Sequence, residues 1–136
     1  MMTRVLILGA ALGLAACTTG SGAARPFEDT AVQKLYNQTI PEYYATLKVA
    51  NVVATNCAAY RYDAALDAML NEKRNEVGRG SLAAHSLRLA IETETEIAER
   101  SFGAKHDVEL LGGDLCPAAD SETLEGTALS ALLVPV

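Results

Sequence analysis

The side chains that could do chemistry are few, and the densest run of them is Glu92-Thr93-Glu94-Thr95-Glu96, followed by Glu99. On a helix Glu92 and Glu96 share a face, where two carboxylates can hold a cation or divide the work of a general acid and a general base. Arg88 stands four residues before Glu92, however, and Arg100 four after Glu96. That pattern is a surface ladder of alternating charge, each pair contributing roughly a few tenths of a kcal/mol. A di-metal helical bundle needs Glu-x-x-His on facing helices, and the chain has none. His85 has Leu89 rather than a carboxylate four residues on, so it reads as a partly exposed or core-edge histidine. His106 lies between Lys105 and Asp107 in a stretch read as loop, where a local hydrogen bond to Asp107 is the simpler use of the ring. Ser81 and Ser86 lack the Gly-x-Ser-x-Gly setting of a nucleophile elbow, and no glycine-rich phosphate loop follows a strand. Tyr43, Tyr44, Tyr60 and Tyr62 admit two readings, an exposed aromatic patch for a partner or seats at the core edge. No catalytic, cofactor-binding or metal-binding set emerges. The expectation is a protein that is not an enzyme, with a hydrolase using Glu92 and Glu96 as the alternative.

The remaining reactive side chains are three cysteines, and the first is placed for a different chemistry. Met1-Met2-Thr3-Arg4 is a short positive head, Val5 to Ala16 is an uncharged apolar run, and Cys17 follows Leu14-Ala15-Ala16 directly. The run has the form of a secretory signal and is shorter than the roughly 20 apolar residues a membrane-spanning helix needs. Leu14-Ala15-Ala16-Cys17 resembles the lipobox of bacterial lipoproteins. The resemblance implies a diacylglyceryl group on the Cys17 thiol, cleavage just before Cys17, and acylation of the freed amine. Several acyl chains make a stable anchor, since each buried methylene contributes about 0.8 kcal/mol. Thr18, rather than Asp, follows the cysteine. By the same resemblance this implies sorting to the outer membrane, with the domain facing the periplasm. An ordinary secretory signal cut after Gly22-Ala23-Ala24 is the alternative.

Cleavage before Cys17 leaves 120 residues, enough for one modest domain. It removes one basic residue, Arg4, and no acidic one, moving the formal charge from −6 to −7. Apart from Lys73-Arg74 there is no basic cluster to neutralise phosphates, which excludes nucleic acid as the expected partner. The charge also leaves membrane affinity to the acyl groups rather than to attraction by anionic lipid. With Cys17 modified, two thiols remain, Cys57 and Cys116, in a chain sent to an oxidising compartment, and they are expected to pair. The alternative, a redox or metal pair, lacks both a Cys-x-x-Cys and a histidine at zinc-ligand spacing.

The elements that must position these groups follow from apolar spacing. Residues 1–16 are read as the signal, 17–27 as an acylated flexible tether, and 28–136 as the folded domain. Asp29 caps a short helix over Thr30 to Gln38, with Val32, Leu35, Tyr36 and Ile40 on one face. Pro41 opens a second helix, Glu42 to Asn56, whose stripe Tyr43, Leu47, Ala50, Ala54 places Cys57 on the buried side. Tyr60 to Val77 reads as a third helix, with Tyr62, Leu66, Met69, Leu70, Lys73 and Val77 facing in and Asp63, Asp67, Asn71 and Arg74 facing out. Gly78-Arg79-Gly80 ends it. Ser81 caps a long helix to about Phe102, with the stripe Ala83, Leu87, Ile91, Ala98, Phe102, and Gly103 stops it. A loop carrying one apolar turn, Val108 to Leu111, then delivers Cys116. Asp120 or Ser121 caps a final helix with Leu124, Ala128, Ala131 and Leu132 inward, and Pro135 ends it. Without alternation or hairpin turns, the fold class is all-α, a small bundle of four or five helices with one disulfide.

Asn56-Cys57, Leu115-Cys116 and the closing Gly126-Thr127-Ala128-Leu129-Ser130-Ala131-Leu132-Leu133 also make residues 44–134 similar to a family of short, uncharacterised periplasmic helical proteins. That likeness implies the Cys57–Cys116 pairing and no activity. The lipobox is a departure from it, because most members begin with an ordinary secretory signal. The combined expectation is an envelope lipoprotein, held to the membrane through Cys17, whose helical domain contacts an envelope protein. A soluble periplasmic module binding a small ligand between its helices is the alternative.

Overall fold

Polar caps and one non-local strand pair, more than long apolar runs, set where the elements of this chain begin. The computed structural model describes residues 24–136; the signal segment, Cys17 and the tether up to residue 23 lie outside the described residues. The elements are α1 (Thr30–Tyr36), α2 (Ile40–Thr55), β1 (Tyr60–Tyr62), α3 (Ala64–Glu76), α4 (Ser81–Ser86), α5 (Arg88–His106), α6 (Cys116–Glu125), a 3₁₀ turn (Leu129–Leu132) and β2 (Leu133–Pro135). Asp29 starts α1 by accepting from the Ala31 and Val32 amides at 2.8 and 3.2 Å. Thr39 and Glu42 start α2 with a reciprocal capping box, each satisfying the other's backbone amide. α2 is the axis of the domain: it packs along α5 on one side and against β1, α6 and the 3₁₀ turn elsewhere. Tyr43, Val49, Ala50 and Val53 of α2 meet Val32, Leu35, Leu66, Leu70, Leu115, Leu132 and Leu133 in one core.

The domain is mostly helical, as expected, but it is not all-α. Tyr60–Tyr62 is extended and pairs antiparallel with Leu133–Pro135, Tyr60 opposite Pro135 and Tyr62 opposite Leu133. The third helix therefore starts at Ala64, where the Asp63 carboxylate accepts from the Leu66 amide at 2.9 Å. Three-residue strands are too short to display alternation, and their partners lie some seventy residues apart in sequence. The same pairing ends the last helical stretch early. α6 runs from Cys116 to Glu125, stops at Gly126 in the left-handed conformation, and gives way to the 3₁₀ turn and β2.

The long helix from Ser81 is also two elements, broken at Leu87 between α4 and α5. Gly103 does not stop it. α5 continues to His106 and ends at Asp107, whose φ is 52°. Gly103 serves a close approach instead: its carbonyl accepts from the Val108 amide at 3.0 Å, and a Cβ there would lie 2.9 Å from the Val108 carbonyl oxygen.

Three apolar stripes are corrected as well. Leu124, read as core, is 89% exposed, while Glu122 two residues earlier is buried. On α3 the buried stripe is Asp63, Leu66, Leu70 and Arg74, so Arg74 and Asp63 face in and Val77 faces out. Of the stripe proposed from Ala83 to Phe102, Phe102 is buried and Leu87 is exposed. The disulfide between Cys57 and Cys116 is present, its Cα atoms 4.9 Å apart, and ties the end of α2 to the start of α6. Closing 59 residues in this way restricts the unfolded chain by about 4 kcal/mol.

Candidate functional site

The side chains with the chemistry to bind or react converge where the C-terminal end of α5 meets α6, at a carboxylate that sequence patterning did not single out. Glu122 is 5% exposed. Its Oε1 accepts from Lys105 Nζ at 2.8 Å and lies 2.6 Å from His106 Nε2, while its Oε2 accepts from the Thr127 hydroxyl. A carboxylate only accepts, so the His106 nitrogen facing it carries the proton. Lys105 also donates to Glu125 at 2.7 Å, and Ser121 donates to Glu125 at 3.1 Å. The His106 ring lies 4.6 Å from that of Phe102, one helical turn earlier. Gly126 makes this possible locally, since its left-handed turn folds Thr127 back beneath Glu122.

Burial alone would raise the Glu122 carboxyl, but hydrogen bonds from Lys105, Thr127 and His106 together outweigh it and hold the group below the usual carboxylate range. For Lys105, partial burial lowers and the hydrogen bonds to Glu122 and Glu125 raise, with a net rise. Both groups are therefore held charged, which fits a fixed ion-pair cluster better than a proton-transfer couple working near neutrality. Beside it is a cavity of about 260 Å³ whose wall includes Gln38, Val49, Ala98, Phe102 and Leu129 with Lys105, Glu122 and Thr127. Gln38 Oε1 is buried without a donor among the described residues. The cavity thus offers one free acceptor, one committed ion pair and an apolar wall.

The carboxylates and histidines singled out from sequence are not brought together. Glu92 pairs with Arg88 at 3.8 Å and Glu96 with Arg100 at 3.5 Å, their side chains 61% and 70% exposed. Glu99 pairs with Lys48 of α2 at 3.7 Å. His106 is ten residues beyond Glu96 on the same helix, about 15 Å along its axis, and points at Glu122 rather than at Asp107. It also lies within α5 rather than in a loop. His85 is exposed on α4. Among the described residues no group of three or more His, Cys, Asp or Glu side chains could hold a metal ion. Cys17 lies outside the described residues.

The tyrosines take seats at the core edge. Tyr43 is fully buried, and with Tyr62 it brackets Asp67, the hydroxyls 3.4 and 2.8 Å from its two oxygens. Burial first, and the Asp67 charge second, push both phenols far above their ordinary range. Above Tyr43 stacks Arg74, fully buried, its guanidinium carbon 4.1 Å from the ring centroid. Arg74 donates to the carbonyls of Tyr36 (2.7 Å), Arg79 (3.3 Å) and Gln38 (3.4 Å), and so closes the C-terminal end of α1.

Two signals in the sequence bear on the Glu122 cluster: Glu122 sits among the small residues of α6, and Lys105-His106 ends a helix whose last turn favours cations. No family model, curated protein or solved structure matches this chain.

Proposed function

We propose that this chain is an envelope lipoprotein, anchored through lipid on Cys17 and facing the periplasm from the outer membrane, whose helical domain presents a surface to an envelope protein rather than a reaction centre. One observation carries the reading. Cys57, which is buried, and Cys116, which is half-buried, are joined in a crosslink, and the third cysteine, Cys17, stands directly after Leu14-Ala15-Ala16 at the end of an uncharged apolar run. A crosslink of that kind belongs to an exported chain, and an exported chain with that leader has Cys17 available for acylation. No helix among the described residues is long and apolar enough to cross a membrane, so attachment rests on the lipid. Three of the four carboxylates of α5, Glu92, Glu96 and Glu99, support the non-enzymatic side of the proposal, because each is matched to a neighbouring cation.

The test is the intact mass of the protein purified from membranes of its own or a similar host. A mass beginning at Cys17 with acyl groups added and two hydrogens missing supports both anchor and crosslink. A soluble chain beginning at Arg25 refutes the anchor and favours a second reading, a free periplasmic module that takes a small ligand in the cavity beside Glu122. The unpartnered Gln38 oxygen in that cavity is what recommends the second reading. A hydrolase using Glu92 and Glu96 has no comparable feature in its favour.

A further inference from the structure

The stretch from Val77 to Ile91 differs from the rest of this acidic chain. It holds two arginines, Arg79 and Arg88, one histidine, and no aspartate or glutamate, although the whole chain carries a formal charge of −6. It is also the least buried part of the fold. α4 contributes no buried residue, and Leu82, Leu89, Val77 and Leu87 are 89%, 76%, 58% and 39% exposed. Between this stretch and the start of α2 runs an apolar groove of about 630 Å³, floored by Pro41, Leu87, Leu89 and Ala90 and bordered by Glu42 and Glu94. An α-helix of six residues has little stability of its own, so the exposed leucines on it and beside it, Leu82, Leu87 and Leu89, need a reason beyond local folding.

The way the chain enters the domain indicates what covers them. The Phe27 ring packs edge-on against Tyr36 at 5.0 Å, and Tyr36 in turn lies 6.0 Å from the Arg79 guanidinium. Arg79 also donates to the Gln38 carbonyl at 2.8 Å. The tether therefore joins the domain two ring contacts from the apolar and basic stretch. From Cys17 to Ala24 is seven residues, which span at most about 25 Å fully extended. An acyl group on Cys17 thus keeps this end of the molecule within about 25 Å of the bilayer surface, where exposed leucines suit the phospholipid interface, the acids Glu42, Glu92 and Glu94 standing at the margin of the patch. We infer that the Val77–Ile91 shelf rests on the phospholipid surface and fixes the orientation of the domain, leaving the Glu122 end turned outward; this rests on the lipid anchor proposed above.

The chain contains no tryptophan, so a single introduced one reports its own surroundings. Leu89→Trp and Leu82→Trp probe the shelf. Leu124→Trp is the matched control, equally exposed to Leu82 but on α6, which holds the opposite end of α5 through Glu122. α5 is about 28 Å long, so the two probes stand at different heights if the shelf is down. Each acylated full-length protein is reconstituted in vesicles of phosphatidylethanolamine and phosphatidylglycerol containing brominated chains. The inference expects blue-shifted emission at positions 89 and 82 and quenching there about threefold or more above position 124. Acylated protein that floats with the vesicles yet shows equal quenching at all three sites overturns the orientation and leaves the anchor standing. Emission at 89 that shifts with protein concentration in the absence of lipid assigns the shelf to a second copy and overturns it too. Protein that carries no acyl group and does not float removes the anchor, and the orientation with it.

Discussion

Replacing Arg74 is the sharpest perturbation of how this domain holds itself together. The side chain is fully buried and faces no carboxylate among the described residues, so its charge is met by three carbonyls and the face of Tyr43. In Arg74→Met the packing volume is roughly kept and the guanidinium's desolvation cost disappears, but the partly buried Tyr36 carbonyl loses its 2.7 Å donor. Leaving such a group unmet costs about 1–3 kcal/mol, and losing the Arg79 carbonyl bond and the ring contact adds about 1–2 kcal/mol. The Gln38 carbonyl keeps Arg79 as a donor and adds little. The expected net loss is about 3 kcal/mol, since removing the buried charge offsets part of the total. Arg74→Lys keeps the charge on a single ammonium that cannot reach carbonyls spread around a planar fork, with an expected loss of about 2 kcal/mol. The assay is urea unfolding followed by circular dichroism, with Arg88→Met as an exposed control within about 0.5 kcal/mol of the parent. If Arg74→Met unfolds at the same urea concentration as Arg88→Met, the carbonyls are satisfied without the guanidinium, and the account of α1's closure is wrong.

Glu122→Gln removes the charge that Lys105 and His106 share, with an expected loss of about 2–3 kcal/mol at pH 7 in the same unfolding assay. The folded carboxyl lies below its ordinary 4.5, so its contribution is present above that value and disappears as pH falls through the folded one. The gap between parent and variant should accordingly narrow as pH falls below 4.5; a gap that stays unchanged throughout the acid range would show that the charge is not its source. Cys57→Ser and Cys116→Ser should each lower stability by about 4 kcal/mol and the double variant hardly further, because each removes the same crosslink. Additive losses in that cycle would mean that the two sulfurs act separately.

The sequence made the helical class, the caps at Asp29 and the start of α2, and the buried side of Cys57 legible, because each depends on contacts within a few residues. The misses share a cause, namely partners far along the chain. β1 exists because β2 returns to it, and three residues carry no period of their own. Arg74 is drawn inward by carbonyls of α1 and of the turn before α2, some 36–38 residues earlier, so a charged side chain occupies a position that a polarity pattern assigns to solvent. Glu122 follows the same rule, its burial made tolerable by a lysine and a histidine on another helix. Leu124 was misplaced as a consequence, since turning Glu122 inward turns Leu124 outward on α6.

These two buried charged groups also mark the parts of the fold that long-range contacts hold in place. At the α5–α6 end, Glu122 gathers Lys105, His106 and Thr127, and the Cys57–Cys116 crosslink fastens the start of α6. At the other end Arg74 and Arg79 turn toward backbone carbonyls of the α1–α2 connection, which fastens the base of the shelf but not α4 itself. The rest of Val77–Ile91 is held by its contact with α2: α4 buries no residue, Leu82, Leu87 and Leu89 are exposed, and acids stand at its margins, Glu76 and Glu92. A face of this kind is among the first to open in an isolated domain and gains most from an apolar surface laid against it. The fold thus leaves an exposed apolar edge within two side-chain contacts of the point where the chain enters the domain, which is the edge that the proposed lipid-held orientation would lay on the bilayer.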